Sequence, residues 1–164
     1  MSLSSSFIGE LKSESTLTEK ILAAVPLEKA SWKPHEKSMT IGRLATHIAE
    51  IPHWIKEIGT ADEYDFFSRP YNPHTASSQE ELLGIFSQNN AEAISVLENM
   101  TDDDFEKTWA IKRGGHVMMQ PIKKVAVRGW AFSHLYHHRG QLSVYLRLLD
   151  VPVPGMYGPS ADEK

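Results

Sequence analysis

A chain of 164 residues, 41% hydrophobic and 23% charged, has the size of one globular domain spanning 1–164 with a substantial core. Its net charge of −4 and 17 scattered lysines and arginines lack the basic footprint that nucleic-acid binding needs, so no nucleic-acid partner is expected. Cysteine is absent, which excludes disulfides, thiolate ligands and a cysteine nucleophile and leaves histidine and carboxylate as protein metal ligands.

The segment from Met1 to Gly9 has neither a basic start nor a long apolar run. No window approaches the roughly 18 apolar residues of a membrane span, so a cytoplasmic location without a membrane partner is expected. Phe7, Leu11, Thr18, Ile21, Leu22 and Val25 recur at helical spacing and predict a first helix from Ser4 to Val25, stopped by Pro26. A second is predicted from Thr40, as N-cap, to Ile58, with Gly59 ending it and Pro52 bending it. Its apolar side carries Ile41, Leu44, Ile48, Ile51 and Ile55, while Arg43, Glu50 and Glu57 fall on another side.

Between Gly59 and Ser77 lies an irregular stretch with Tyr64, Phe66, Phe67, Pro70, Tyr71 and Pro73. So long a connection reads either as a lid or binding loop or as aromatics packed on the surface. The third helix should start near Ser77 or Ser78, each followed three residues later by a glutamate, and carry Leu82, Phe86, Ala93, Ile94 and Leu97 inward. Thr101 to Asp104 reads as a turn. Lys107 to Ile111 and His116 to Gln120, joined across Gly114-Gly115, suggest a small β-hairpin. Pro121 suits a first helical position, and the fourth helix would reach Leu149, about 40 Å away at 1.5 Å per residue. After Val151 the prolines and glycines predict an irregular tail.

On a helical wheel, His134 and His138 fall in the inward stripe with Val127, Ala131, Leu142, Tyr145 and Leu149. Four residues apart, they stack on one face and can share a cation. His137 lies at the edge of the stripe and is the weaker candidate. His47 borders the apolar stripe of the second helix, with Ile51 and Trp54 on the same face, so it should also turn inward. Each histidine taken singly reads as a hydrogen-bonded core residue. Three buried together without a metal would need several partners, at about 1–3 kcal/mol for each unsatisfied group. Three imidazoles would leave coordination positions open, as catalytic sites do. Glu50 could orient a ligand or be solvated, and Arg139 and Gln141 could bind substrate or pair structurally. His35, His53, His74 and His116 lie on loops or polar faces and read as solvated.

The segment His134-Leu135-Tyr136-His137-His138-Arg139-Gly140-Gln141 resembles the closing-helix motif of the DinB-like (DinB/YfiT) metalloenzyme family, in which a histidine three before a double histidine leads into Arg-Gly-Gln. Thr40 to Ile48, Tyr145-Leu146-Arg147 and Val151-Pro152-Val153-Pro154 are similar to that family too, so the likeness spans nearly the whole chain. It implies an all-α four-helix bundle with a long crossover connection, often a homodimer. It also implies a divalent metal held by one histidine of helix two and two of helix four, which become His47, His134 and His138 here. Asp150 departs from the pattern, standing where a glycine often comes after the helix.

Related families include thiol-dependent S-transferases and a mycothiol-dependent isomerase. The leading expectation is therefore a metal-dependent transferase in which zinc, nickel or iron lowers the pKa of a low-molecular-weight thiol that attacks a small electrophile. A second reading is a hydrolase using metal-bound water with Glu50 as base. A third is a metal-binding helical protein without catalysis.

Overall fold

Four helical rods form where the apolar repeats predict them, in a computed structural model that describes residues 2–68, 70 and 72–163. The first rod is α1 (Leu3–Ala23), whose first turn is capped by the Ser2 hydroxyl accepting from the Ser5 amide. The second is two helices, α2 (Ile41–Glu50) and α3 (His53–Thr60). Thr40 caps α2 as expected, its hydroxyl accepting from the Arg43 amide. Pro52 has no N–H to donate to Ile48, so the α-helical bonding is interrupted there, while Ile51 and Pro52 keep helical backbone angles and tighter bonds from Trp54 to Ile51 and from Ile55 to Pro52 carry the rod on.

Gly59 does not end this rod, which runs on to Thr60. A side chain at position 59 would meet the Val96 Cγ1 at 2.3 Å, so the glycine allows α3 to lie close against the third rod. That rod is α4 (Gln79–Asn99). Ser78 is its N-cap, accepting from the Glu81 amide, while the Glu81 carboxylate accepts from the amide and hydroxyl of Ser77 at 2.7 Å each. Both serines thus share the cap.

The long connection of the bundle, residues 61–78, is less irregular than expected. It opens with strand β1 (Glu63–Asp65), which pairs in parallel with β2 (Ala110–Arg113), itself antiparallel to β3 (His116–Met119). The expected hairpin therefore forms, turning at Gly114 and Gly115, both at positive φ (59° and 80°), as a tight two-residue turn requires. The Asp65 carboxylate accepts from the amides of Phe67, Gly114 and Gly115, tying the loop to the hairpin tip. Sequence periodicity missed β1 because three residues are too few to show an alternation. Tyr71 lies outside the described residues.

Thr101 to Asp104 is not a simple turn but the start of a short helix, α5 (Asp102–Glu106), closed by a reciprocal cap between Thr101 and Asp104 and anchored by buried Phe105. Pro121 is not yet helical. Its carbonyl still accepts from the Trp109 amide, and Thr108 bridges Ile122, so the last rod begins only at Lys123. That rod is α6 (Lys123–Ala126), a π-helical stretch (Val127–Ser133) and α7 (His134–Leu148).

Asp150 does the work of the glycine it replaces. With φ at 57°, it closes α7 by donating to the Arg147 carbonyl while Val151 donates to Leu146, the Schellman pattern. The tail beyond has no regular structure, and Val151, Val153 and Met156 pack on the core.

The core has two apolar halves separated by buried polar groups. In α1, Glu14 and Thr18 lie between Phe7 and Leu11 of one half and Ile21 and Leu22 of the other. In α4, Asn90 likewise divides Phe86 from Ala93. Among the described residues, no helix is long and apolar enough to cross a membrane.

Candidate metal centre

The histidines sit beside the buried stripe rather than within it. In α7 that stripe is Leu135, Arg139, Leu142 and Leu146, whereas His134, His138, Tyr145 and Leu149 are only half-buried along its flank. The wheel placed the stripe about one residue off. The π-helical stretch just before His134 explains part of the shift, since its extra residue per turn rotates the helix beyond it.

His47 from α2 and His134 and His138 from α7 converge, each offering a ring nitrogen within 4.8 Å of the others. The closest pair is His47 Nε2 and His134 Nε2 at 3.1 Å. Hydrogen bonding assigns the tautomers. His134 Nδ1 lies 3.2 Å from the Trp130 carbonyl oxygen and His138 Nδ1 lies 2.7 Å from Gln141 Oε1. Both partners only accept, so each Nδ1 keeps the proton and each Nε2 presents a lone pair.

The closest pair of this donor set is spaced as two ligands of a divalent cation would be. Metal–nitrogen bonds of about 2.0–2.1 Å place two ligand nitrogens about 2.9 Å apart at a right angle and about 3.4 Å apart at the tetrahedral angle. The His47–His134 separation falls between these. Burial first, then the neighbouring His47 and His138, push the His134 pKa down to about 4. Burial also lowers His138, against the opposing bond to Gln141. Both rings are therefore neutral, the form that binds metal.

Of the other residues singled out, Gln141 bridges. It accepts from His138 and its amide NH2 donates to His137 Nε2 at 3.0 Å. His137 itself is exposed and outside the trio. Glu50 is neither free nor fully solvated. Its carboxylate lies 2.6 Å from Arg43 and 3.9 Å from His47 Nδ1. Burial raises its pKa, but the His47 ring and the Arg43 guanidinium outweigh that and hold it below the usual carboxylate range.

Arg139 lies on a different side of α7 from the histidines and does not line the cleft. Only 3% exposed, it bonds the Glu14 carboxylate at 2.5 Å and the Thr18 hydroxyl at 3.1 Å, with Tyr157 of the tail closing the cluster. On α7, Arg139 lies one step past His138, about 100° around the helix, and so points at α1 instead.

Two of the trio, His47 and His134, line a cleft of about 710 Å³. Its apolar wall is Trp54, Phe66, Trp130 and Ile51, and its rim includes Arg43, Glu50, Asn72 and Asn89. His53, assigned to the polar side, also lines it while pairing with Glu57 at 2.8 Å. The sequence contained a signal for one wall: Arg43, His47, Glu50 and Trp54 are spaced at steps of four, three and four, one face of a helix. Phe66 and Trp130 had none, because a strand pairing and a π-helical turn deliver them.

A sequence model of the DinB family matches residues 1–164. The chain belongs to the DinB family. Among relatives, the Bacillus subtilis (strain 168) protein YrdA is 22% identical over 157 residues, covering 96% of this chain and 89% of that one. The fold of this DinB-family chain is shared with a DinB-like protein of Bacillus cereus ATCC 10987, at a TM-score of 0.70 and 23% identity over 92% of this chain and 95% of the other. A Bacillus subtilis DinB-like protein matches with a TM-score of 0.68 and 17% identity, covering 96% and 97% of the two chains.

Proposed function

We propose that this DinB-family protein is a divalent-metal-dependent enzyme, and that its reaction is attack of an external low-molecular-weight thiol on a small electrophile: the S–H proton passes to solvent, the sulfur bonds to the electrophilic centre, and the displaced electron pair leaves with the electrophile's leaving group. The observation that carries this is the convergence of three imidazoles, two of them neutral with assigned inward lone pairs, at the edge of a cleft. His47, His134 and His138 would hold the cation, with the Trp130 carbonyl and Gln141 orienting two of the rings. Once bound, zinc, nickel or iron supplies Lewis acidity that favours the thiolate form of the second substrate.

The chain's own residues do the rest. Trp54, Phe66 and Trp130 keep water from one side of the cleft, which leaves an anionic sulfur poorly solvated and more nucleophilic. Having no cysteine, the protein must take its sulfur from a substrate. Hydrolysis with Glu50 as base is less well supported. That carboxylate is tied to Arg43 and held at a low pKa, which makes it a weak base.

The test is a matrix of thiols and electrophiles presented to protein loaded in turn with zinc, nickel and iron. Product formation that requires a thiol and disappears in His47→Ala supports transfer. Ester or amide cleavage without thiol supports hydrolysis, and loss of the folded state on chelation supports a structural metal.

A further inference from the structure

We infer that the cleft beside the three histidines takes a substrate whose body is an aromatic ring bearing no positive charge. The inference deepens the proposed metal-dependent reading by naming the substrate class of the same site. Three rings form the wall. Trp54 and Trp130 have centroids 5.1 Å apart, and Phe66 stands 6.1 Å from the first and 6.0 Å from the second. Each comes from an interruption of regular structure: Trp54 just after the Pro52 break, Trp130 within the π-helical stretch, Phe66 at the end of β1.

The wall is braced from behind. Tyr64 packs on Trp54 at 5.0 Å and on Phe66 at 5.3 Å, and buried Trp109 backs Trp54 and Trp130 at 6.3 and 6.5 Å. The Asp65 bonds to the hairpin tip hold the backbone on both sides of Phe66. A ring entering here meets side chains already ordered, so little entropy is lost in arranging them. At about 710 Å³ the space suits a molecule larger than the few atoms a metal ligand needs.

Charge narrows the class. Glu50, the one carboxylate among the described residues that line the cleft, is matched by Arg43, so the rim offers a cation no unpaired carboxylate. An ammonium group against these rings would also sit beside a dication, whereas an uncharged ring meets no such repulsion.

Binding of hydroxamates to the zinc-loaded protein, read by calorimetry, tests this. Benzohydroxamate should bind about tenfold tighter than acetohydroxamate, and tighter than both its saturated cyclohexane analogue and a trimethylammonium-bearing analogue. Phe66→Ala, which removes a partly exposed loop side chain, should cut the benzohydroxamate preference several-fold and leave acetohydroxamate unchanged. Equal binding of the phenyl and methyl compounds, or of the phenyl and cyclohexyl ones, overturns the inference. The metal reading fails separately, if acetohydroxamate binds no better with zinc than without. The wall is then judged in metal-free protein with 2-naphthol, read by tryptophan fluorescence. Binding weakened several-fold by Phe66→Ala sustains the aromatic site, and unchanged binding ends it.

Discussion

The Nε2 atoms of His47 and His134 lie 3.1 Å apart although 87 positions separate the two residues. Because the Trp130 carbonyl holds the His134 proton on Nδ1, only a proton from His47 or a cation can occupy the space between them. A cation is expected to displace that proton. His47→Ala should weaken zinc binding at least about 100-fold, measured by competition with a chromophoric chelator, while the far-UV circular dichroism stays unchanged.

Chelation of the loaded protein should leave the helices in place, because the apolar halves of the core pack without the histidines. The melting temperature should fall only by linkage. At free zinc 100-fold above Kd the metal contributes about 2.7 kcal/mol, or roughly 5–11 °C for a chain of this size. Loss of the helical signal on chelation would make the metal structural.

Gln141 is expected to set the tautomer and ring angle of His138 without touching the cation. Gln141→Ala should weaken metal binding about 10- to 100-fold, and Gln141→Glu, which keeps an acceptor, should restore most of it. Equal affinity in the alanine variant would mean that packing alone orients the ring.

The metal-free protein should lose stability as acid is added. His134 titrates at 6.5 when unperturbed and at about 4 when folded. Between these values the unfolded chain binds the proton and the folded chain does not, so stability is full above pH 6.5 and declines toward pH 4. His138 acts in the same direction. Urea melts across this range should show the decline, and His134→Gln should flatten it.

Arg139 and Glu14 form a buried pair whose side chains are 3% and 11% exposed. Arg139→Ala would strand the carboxylate and should destabilise the protein by about 3–5 kcal/mol. Arg139→Met combined with Glu14→Leu should recover most of that loss, since an apolar pair needs no compensation. Denaturant midpoints of the single and double variants decide this.

Asp150 carries a positive φ that glycine adopts without strain. Asp150→Gly should therefore stabilise the protein by about 0.5–1 kcal/mol, a rise of roughly 1–4 °C in melting temperature.

The helices and their caps were legible in the amino-acid sequence because they rest on neighbours three or four residues apart. Apolar recurrence marked the rods, Thr40 and the Ser77-Ser78 pair marked two starts, and Gly114-Gly115 marked the hairpin turn. His47, His134 and His138 stood out for the same reason, as polar rings at the border of one apolar stripe and within another. Tertiary structure alone decided that the latter two flank the buried stripe and what all three rings face. It brought α2 against α7, turned Arg139 toward Glu14 rather than the cleft, and carried Phe66 and Trp130 to one wall through a strand pairing and a π-helical stretch. Periodicity tells a side chain which way is inward, but its partner depends on contacts between distant segments, and a single extra residue in a helical turn is enough to change which side chain meets them.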